Sequence, residues 1–225
     1  MRVVVIPAKN IDRKTLATAE KVRSLGRVVI ACSAPSPREV GGFTVLNCPK
    51  GKWASILKAV KRIDGDSYLV IDSDMPVSVK DAWRLAERLR SSDLAIVKRH
   101  PDERPLVDRI LSIGFRLLAR MLGVRFHDPQ AGAKAFKRRL ILEASSLIPR
   151  GYLGDLALIA YAISRGFRVV ELPVRWKDNR TWGRRLSLLA SLAVEFLIET
   201  PRIIAVKKLR NSVRINREAY YNDLR

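Results

Sequence analysis

The chain has 225 residues, 48% of them apolar and 29% charged, which excludes disorder and leaves room for one large domain or a domain with an appendage. Its 43 Lys and Arg against 22 Asp and Glu give a net charge of +21, a surplus that calls for a polyanionic partner: nucleic acid, an anionic membrane or a phosphorylated substrate. With only Cys32, Cys48, His100 and His127, a disulfide framework and a thiol- or imidazole-built metal centre are excluded, and the cysteines read as buried thiols in a reducing compartment.

Met1-Arg2 leads straight into Val3-Val4-Val5-Ile6, which is too short for a signal core and reads as a buried strand. Strands are predicted over residues 2–6, 27–31, 43–47, 67–71, 94–97, 133–136 and 168–172. They alternate with helical patterns, so the predicted fold class is α/β with a mostly parallel central sheet flanked by helices. Helical spacing is clear in Trp53, Ile56, Leu57 and Val60, and again in Val79, Ala82, Trp83, Ala86 and Leu89. Trp53 and Trp83 are read as core residues. A further helix is expected from Asp155 to Arg165, stopped by Gly166.

Two basic, apolar stretches stand apart. Residues 106–123 interleave Arg109, Arg116 and Arg120 with aliphatic side chains, and residues 184–209 form an apolar run broken by Glu195, Glu199, Pro201 and Arg202. The longest uncharged run of the second, 186–194, is far below the roughly 20 residues that span a bilayer. Both suit amphipathic helices in a lipid interface, with Trp176 and Trp182 at its level, or else helices packed on the domain or on a second copy. Two parts are therefore expected: a domain over 1–178 and a basic attachment segment over 179–225, the latter amphipathic at its carboxy-terminal helices.

The chemistry concentrates on Ser67-Tyr68-Leu69-Val70-Ile71-Asp72-Ser73-Asp74, an apolar strand running into two aspartates. Extended alternation would send Asp72 and Asp74 to one side. Paired carboxylates repel unless a cation joins them, and one or two carboxylates with substrate phosphates completing the shell suit magnesium. Upstream, Lys50-Gly51-Lys52 immediately precedes the Trp53 helix, whose free N–H groups favour an anion such as a diphosphate.

These segments, with Asp64-Gly65-Asp66, residues 92–99, His127-Asp128-Pro129-Gln130-Ala131-Gly132-Ala133-Lys134-Ala135-Phe136, Gly151-Tyr152-Leu153-Gly154-Asp155 and 166–174, follow one another in an order that resembles glycosyltransferase family 2. The subgroup it looks most like is the dolichol-phosphate mannose synthases and related polyprenyl-phosphate glycosyltransferases, over roughly residues 2–185. The resemblance implies a GT-A fold, a nucleotide-diphosphate sugar donor, Mg2+ or Mn2+, and inverting transfer of a hexose to a polyprenyl or dolichyl phosphate. It implies that Asp72 and Asp74 hold the metal–diphosphate unit and that Pro7, Ala8 and Asn10 border the nucleotide. Asp128 and Gln130 would lie near the sugar or acceptor, Asp155 would be the acid nearest the acceptor, and Lys98, Arg99, Arg109 and Arg180 would receive the acceptor phosphate. Simpler roles stay open for three of them: a turn cap at Asp128, a dipole-stabilised helix acid at Asp155, an interfacial helix residue at Arg109.

The chain departs from the family in places. Acids usual after the second strand are replaced by Ala31-Cys32-Ser33-Ala34-Pro35, Ile11-Asp12 stands where a glutamate is usual, Met75-Pro76 follows Asp74, and the basic motif near Arg180 is altered. The expected activity is therefore hexosyl transfer by a cytoplasmic protein peripherally associated with an anionic membrane. Its rivals are a non-catalytic paralogue and a nucleic-acid-binding module, the latter disfavoured because no nucleic-acid motif accompanies the charge.

Overall fold

The computed structural model describes residues 1–100, 116, 119–120, 123–126, 132–175, 194–195 and 198–199.

All seven predicted strands form, each within about two residues of its expected bounds: β1 Arg2–Ala8, β2 Arg27–Cys32, β4 Phe43–Asn47, β5 Ser67–Ile71, β6 Leu94–Arg99, β7 Ala133–Lys137 and β8 Val169–Val174. A two-residue strand, β3 Glu39–Val40, had not been expected; it doubles back on β4 as an antiparallel edge. Among the described residues these make one eight-stranded sheet in the order β3-β4-β2-β1-β5-β7-β6-β8. Four of its seven pairings are parallel, and β7 runs against both neighbours, with Ile71 opposite Ala133 and Ile96 opposite Lys134.

Alternation along the strands sorts the core into two layers. Val3, Val5, Val29, Tyr68, Val70, Leu94 and Phe136 face helices α2 Lys52–Arg62, α4 Arg138–Ala144 and α5 Gly154–Ser164. Val4, Ile6, Val28, Ile30, Leu69, Ile71, Ala95 and Val97 face α1 Arg13–Lys21 and α3 Val79–Glu87. Trp53 is fully buried as expected, whereas Trp83 is 50% exposed. On α3 the buried face is Ala82, Leu85 and Ala86, and Trp83 stands a third of a turn away from it. Helix α5 ends as predicted: Gly166 takes φ 77°, its N–H reaches the Ile163 carbonyl, and the Phe167 N–H reaches that of Ala162, the paired bonds of a Schellman stop.

The strand order fixes where a ligand would lie. The chain moves outward from β1 through β2 to β4, then crosses back to place β5 on the other side of β1. The crevice outside the carboxyl ends of such strands, where the order reverses, is the usual binding position in open α/β sheets. Here that crevice is bordered by the ends of β1 and β5.

Candidate active site

Beyond Ile71 the backbone is no longer extended. The Met75 N–H donates to the Asp72 carbonyl at 2.9 Å, and Met75 has φ 43°, a left-handed conformation rare for a side-chain-bearing residue. Asp72 and Asp74 therefore sit on a tight turn, and strand alternation does not set their directions. The turn is tied down by the Asp72 N–H on the Gly132 carbonyl at 3.2 Å and by the Thr18 hydroxyl on the Ser73 carbonyl at 2.9 Å.

Asp72 is held by a lysine. The Lys52 ammonium lies 2.8 Å from Asp72 Oδ1 and 4.0 Å from Asp155 Oδ2. Lys52 is the first residue of α2, so the Trp53 helix starts by presenting its flanking cation to the aspartate turn. Burial pulls this ammonium down, but the fields of Asp72 and Asp155 overcome it and raise it above the ordinary lysine range.

Asp155, only 3% exposed, is the buried hub of the arrangement. Its Oδ1 accepts from Trp53 Nε1 at 2.6 Å and from the Lys134 ammonium. Lys134, on β7 and 2% exposed, also stands over the Trp53 ring at 5.6 Å. Burial lowers the Lys134 ammonium, with Lys52 nearby adding to the effect and Asp155 opposing it. The Asp155 carboxylate is thus turned inward, with Oδ1 on Trp53 and Lys134 and Oδ2 4.0 Å from the Lys52 ammonium. Lys134 had not been singled out as a partner, and its only signal in the sequence is a lone cation inside the apolar run Gly132-Ala133-Lys134-Ala135-Phe136.

The other expected site residues fall into three groups. Ala8 closes β1 beside Cys32 of β2, while Pro7 is half-buried and Asn10 and Lys50 are exposed at the same rim. Lys98 and Arg99 end β6, two strands from β5 but at the same edge, and are half-buried. Asp128, Gln130, Arg109 and Arg180 lie outside the described residues, as do Trp176, Trp182 and nearly all of 179–225. A hollow of about 500 Å³ opens beyond β2 and β4, lined by Ser33, Ala34, Pro35, Asn47, Cys48, Pro49 and Lys58. Among the described residues no carboxylate lines it. Its loop is braced by Asn47, whose amide accepts from the Ser36 N–H at 2.9 Å and donates to the Ser36 carbonyl at 2.8 Å. Both cysteines are free; Cys32 is buried, and burial pushes the Cys48 thiol up.

A divalent ion fits this donor set. Asp72 and Asp74 are hard oxygen donors one residue apart on the turn, and the Asp72 side chain keeps 32% of its surface open. Among the described residues there is no cluster of three or more His, Cys, Asp or Glu that could cage a metal.

No protein-family model matches the chain. It is 26% identical over 172 residues to dolichyl-phosphate beta-glucosyltransferase ALG5C of Trichomonas vaginalis, covering 68% of this chain and 50% of that protein. It is 30% identical over 138 residues to glycosyltransferase AglD of Haloferax volcanii, covering 57% and 22%. It is 29% identical over 136 residues to polyprenol monophosphomannose synthase of Mycolicibacterium smegmatis, covering 55% and 50%. The chain thus spans half or less of the length of these curated relatives. Among solved structures, glucosyl-3-phosphoglycerate synthase of Mycobacterium tuberculosis with uridine diphosphate superposes with a TM-score of 0.68 at 17% identity, covering 92% of this chain and 80% of that one. The same enzyme with Mn2+, uridine-diphosphate-glucose and phosphoglyceric acid gives 0.67 at 16%, covering 92% and 79%. The chain has the GT-A fold, and the proteins it is similar to in sequence and structure are glycosyltransferases, among them dolichyl- and polyprenyl-phosphate transferases of family 2.

Proposed function

We propose that the chain transfers a hexose, glucose or mannose, from a nucleoside-diphosphate sugar to a polyprenyl or dolichyl phosphate at a membrane surface, with inversion and with Mg2+ or Mn2+. The observation that carries the reading is the aspartate turn beyond β5, with Lys52 on Asp72, at the rim where a GT-A sheet reverses its strand order. It is supported by the lipid-phosphate transferases among the relatives and by structural neighbours crystallised with Mn2+ and uridine-diphosphate-glucose.

In this reading an acceptor phosphate oxygen attacks the anomeric carbon, the bond from that carbon to the diphosphate oxygen breaks, and the nucleoside diphosphate departs with the electron pair. Asp72 and Asp74 would hold the divalent ion, which when bound supplies neutralisation of the charge building on the leaving diphosphate. Lys52 adds a permanently protonated cation beside them, with its direction fixed by Asp155. Trp53 and Lys134 fix Asp155 in turn. The acceptor's second pKa is near ~6, so it arrives as an anion and needs cations more than a strong base. Lys98 and Arg99 at the end of β6 suit that demand, with Arg109 and Arg180 as further candidates. The nucleoside half of the donor would use the hollow by Ser33, Cys48 and Lys58.

Attachment from the cytoplasmic side would be peripheral. Among the described residues no helix is long and apolar enough to cross a membrane. Val194 and Ile198 are each helical and are 56% and 68% exposed, outward apolar side chains of the kind an interfacial helix presents.

The test is release of nucleoside diphosphate from a panel of nucleotide sugars, with metal, with and without polyprenyl phosphate. Replacing Asp72 and Asp74 together by Asn should cut turnover by roughly 100-fold or more, and unchanged turnover in that variant would falsify the assignment. The lining of the hollow, which holds no carboxylate among the described residues, favours one alternative, a non-catalytic paralogue, which would bind without releasing product under every donor.

A further inference from the structure

Helix α5 has no cap of its own. Leu153 stands at its N-cap and offers no side-chain hydrogen bond, yet the N–H groups at a helix start need partners. They find one 42 residues away: Glu195 Oε1 accepts from the Leu153 N–H at 3.0 Å, and its Oε2 from the Tyr152 N–H at 2.8 Å. The fit depends on Gly151, because a Cβ there would collide with both carboxylate oxygens. The negative charge also meets the positive end of the helix dipole.

The other side of the same loop grips α2. The Arg150 carbonyl accepts the N–H groups of Trp53 and Ala54 at 2.9 and 3.0 Å. Residues 150–153 therefore join three things: the start of α2 with Lys52, the start of α5 with Asp155, and Glu195. Lys52 and Asp155 are the two groups that orient each other beside Asp72. A shift of this loop would move both.

We propose that Glu195 is a positioning residue for the site. Through its grip on Tyr152 and Leu153 it sets the loop that places Lys52 and Asp155. The catalytic consequence rests on the transferase reading; the coupling of Glu195 to Lys52 does not.

The full chain is compared with Glu195→Ala, Glu195→Gln, Gly151→Ala and the Glu195→Ala/Gly151→Ala double variant. Two readouts are independent of activity. Amide exchange at Tyr152 and Leu153 should speed by on the order of ten-fold or more on loss of a charge-assisted hydrogen bond. Trace acetic anhydride labelling of Lys52 should rise in both single variants, while exposed Lys50 and remote Lys61 stay constant and certify the fold. Glu195→Gln, which keeps an acceptor but not the charge, should fall between, and the double variant should be no worse than either single one, as expected for one shared contact. Unchanged exchange, or faster exchange with unchanged Lys52 labelling, overturns the proposal. In turnover, kcat should fall in Glu195→Ala and recover in part in Glu195→Gln; kcat equal to that of the parent chain overturns the positioning role. A parent chain inactive with every nucleotide sugar refutes the transferase reading instead, and the labelling result still decides the coupling.

Discussion

Lys134 and Asp155 carry opposite charges, both almost fully buried, and this makes their loss asymmetric. Removing one partner strands a charge away from water, whereas replacing both with apolar groups removes the desolvation cost along with the attraction. Lys134→Met should therefore destabilise the fold by about 3–5 kcal/mol, while adding Asp155→Leu should recover part of that loss and not all of it, because the buried Trp53 N–H then loses its acceptor. Urea denaturation of the two variants checks it; equal stability of both would mean that the pair is not the buried contact described. The double variant should still lose turnover, because Lys52 then loses Asp155 and, among the described residues, keeps Asp72 as its ion-pair partner. The pair was not legible in the sequence, since its members stand 21 residues apart and periodicity reports only neighbours on one element. Asp72 and Asp74 were legible because strand and motif occupy one short stretch, but the turn after Ile71 was not. A positive φ at Met75 leaves no trace in apolar patterning.

Between elements, Asp93 ties together the lower ends of three strands. Its side chain accepts from the Arg168 N–H and the Lys137 ammonium, each at 3.0 Å, and its own N–H donates to the Arg168 carbonyl at 2.8 Å. Burial alone would raise the carboxyl, but the Arg168 N–H and Lys137 outweigh it and hold it below its ordinary value of 3.8. A depressed folded-state carboxyl contributes stability that is present above the ordinary value and is lost as pH falls through the folded one. Asp93→Asn should thus cost about 1 kcal/mol at neutral pH. The gap between parent and variant should close as pH drops below about 4; a constant gap from pH 7 to 3 in urea titrations would contradict the linkage. The strands were readable because each carries its own alternation. Helix α1 was not, because Thr15 and Thr18 are two of its three buried residues, so it shows no apolar stripe. Its start was concealed in plain sight: Asp12, noted only as a departure from the family, caps it by accepting the Thr15 N–H at 2.8 Å. The reversed direction of β7 was equally hidden, since orientation is a property of pairing across the sheet.

At the scale of the whole molecule, the net charge of +21 must find counter-charge, and the two candidate partners respond differently to substitution. If the carboxy-terminal segment lies on an anionic bilayer, each basic side chain near the surface contributes about 1 kcal/mol. Replacing Lys207, Lys208 and Arg210 by Gln should then weaken flotation with phosphatidylserine vesicles by on the order of 100-fold. Raising salt should weaken the parent chain in the same direction. Flotation unaffected by both changes would remove the electrostatic basis for attachment, and tight binding to duplex DNA with a steep salt slope would favour the nucleic-acid rival. One further consequence follows from the reversal of β7. The last residue of β6, Arg99, and the first of β7, Ala133, both lie on the rim that carries Asp72. The entry into β7 is moreover pinned to that rim, because the carbonyl of Gly132, the residue before it, accepts the Asp72 N–H at 3.2 Å, so a change of length just ahead of β7 would pull on the aspartate turn.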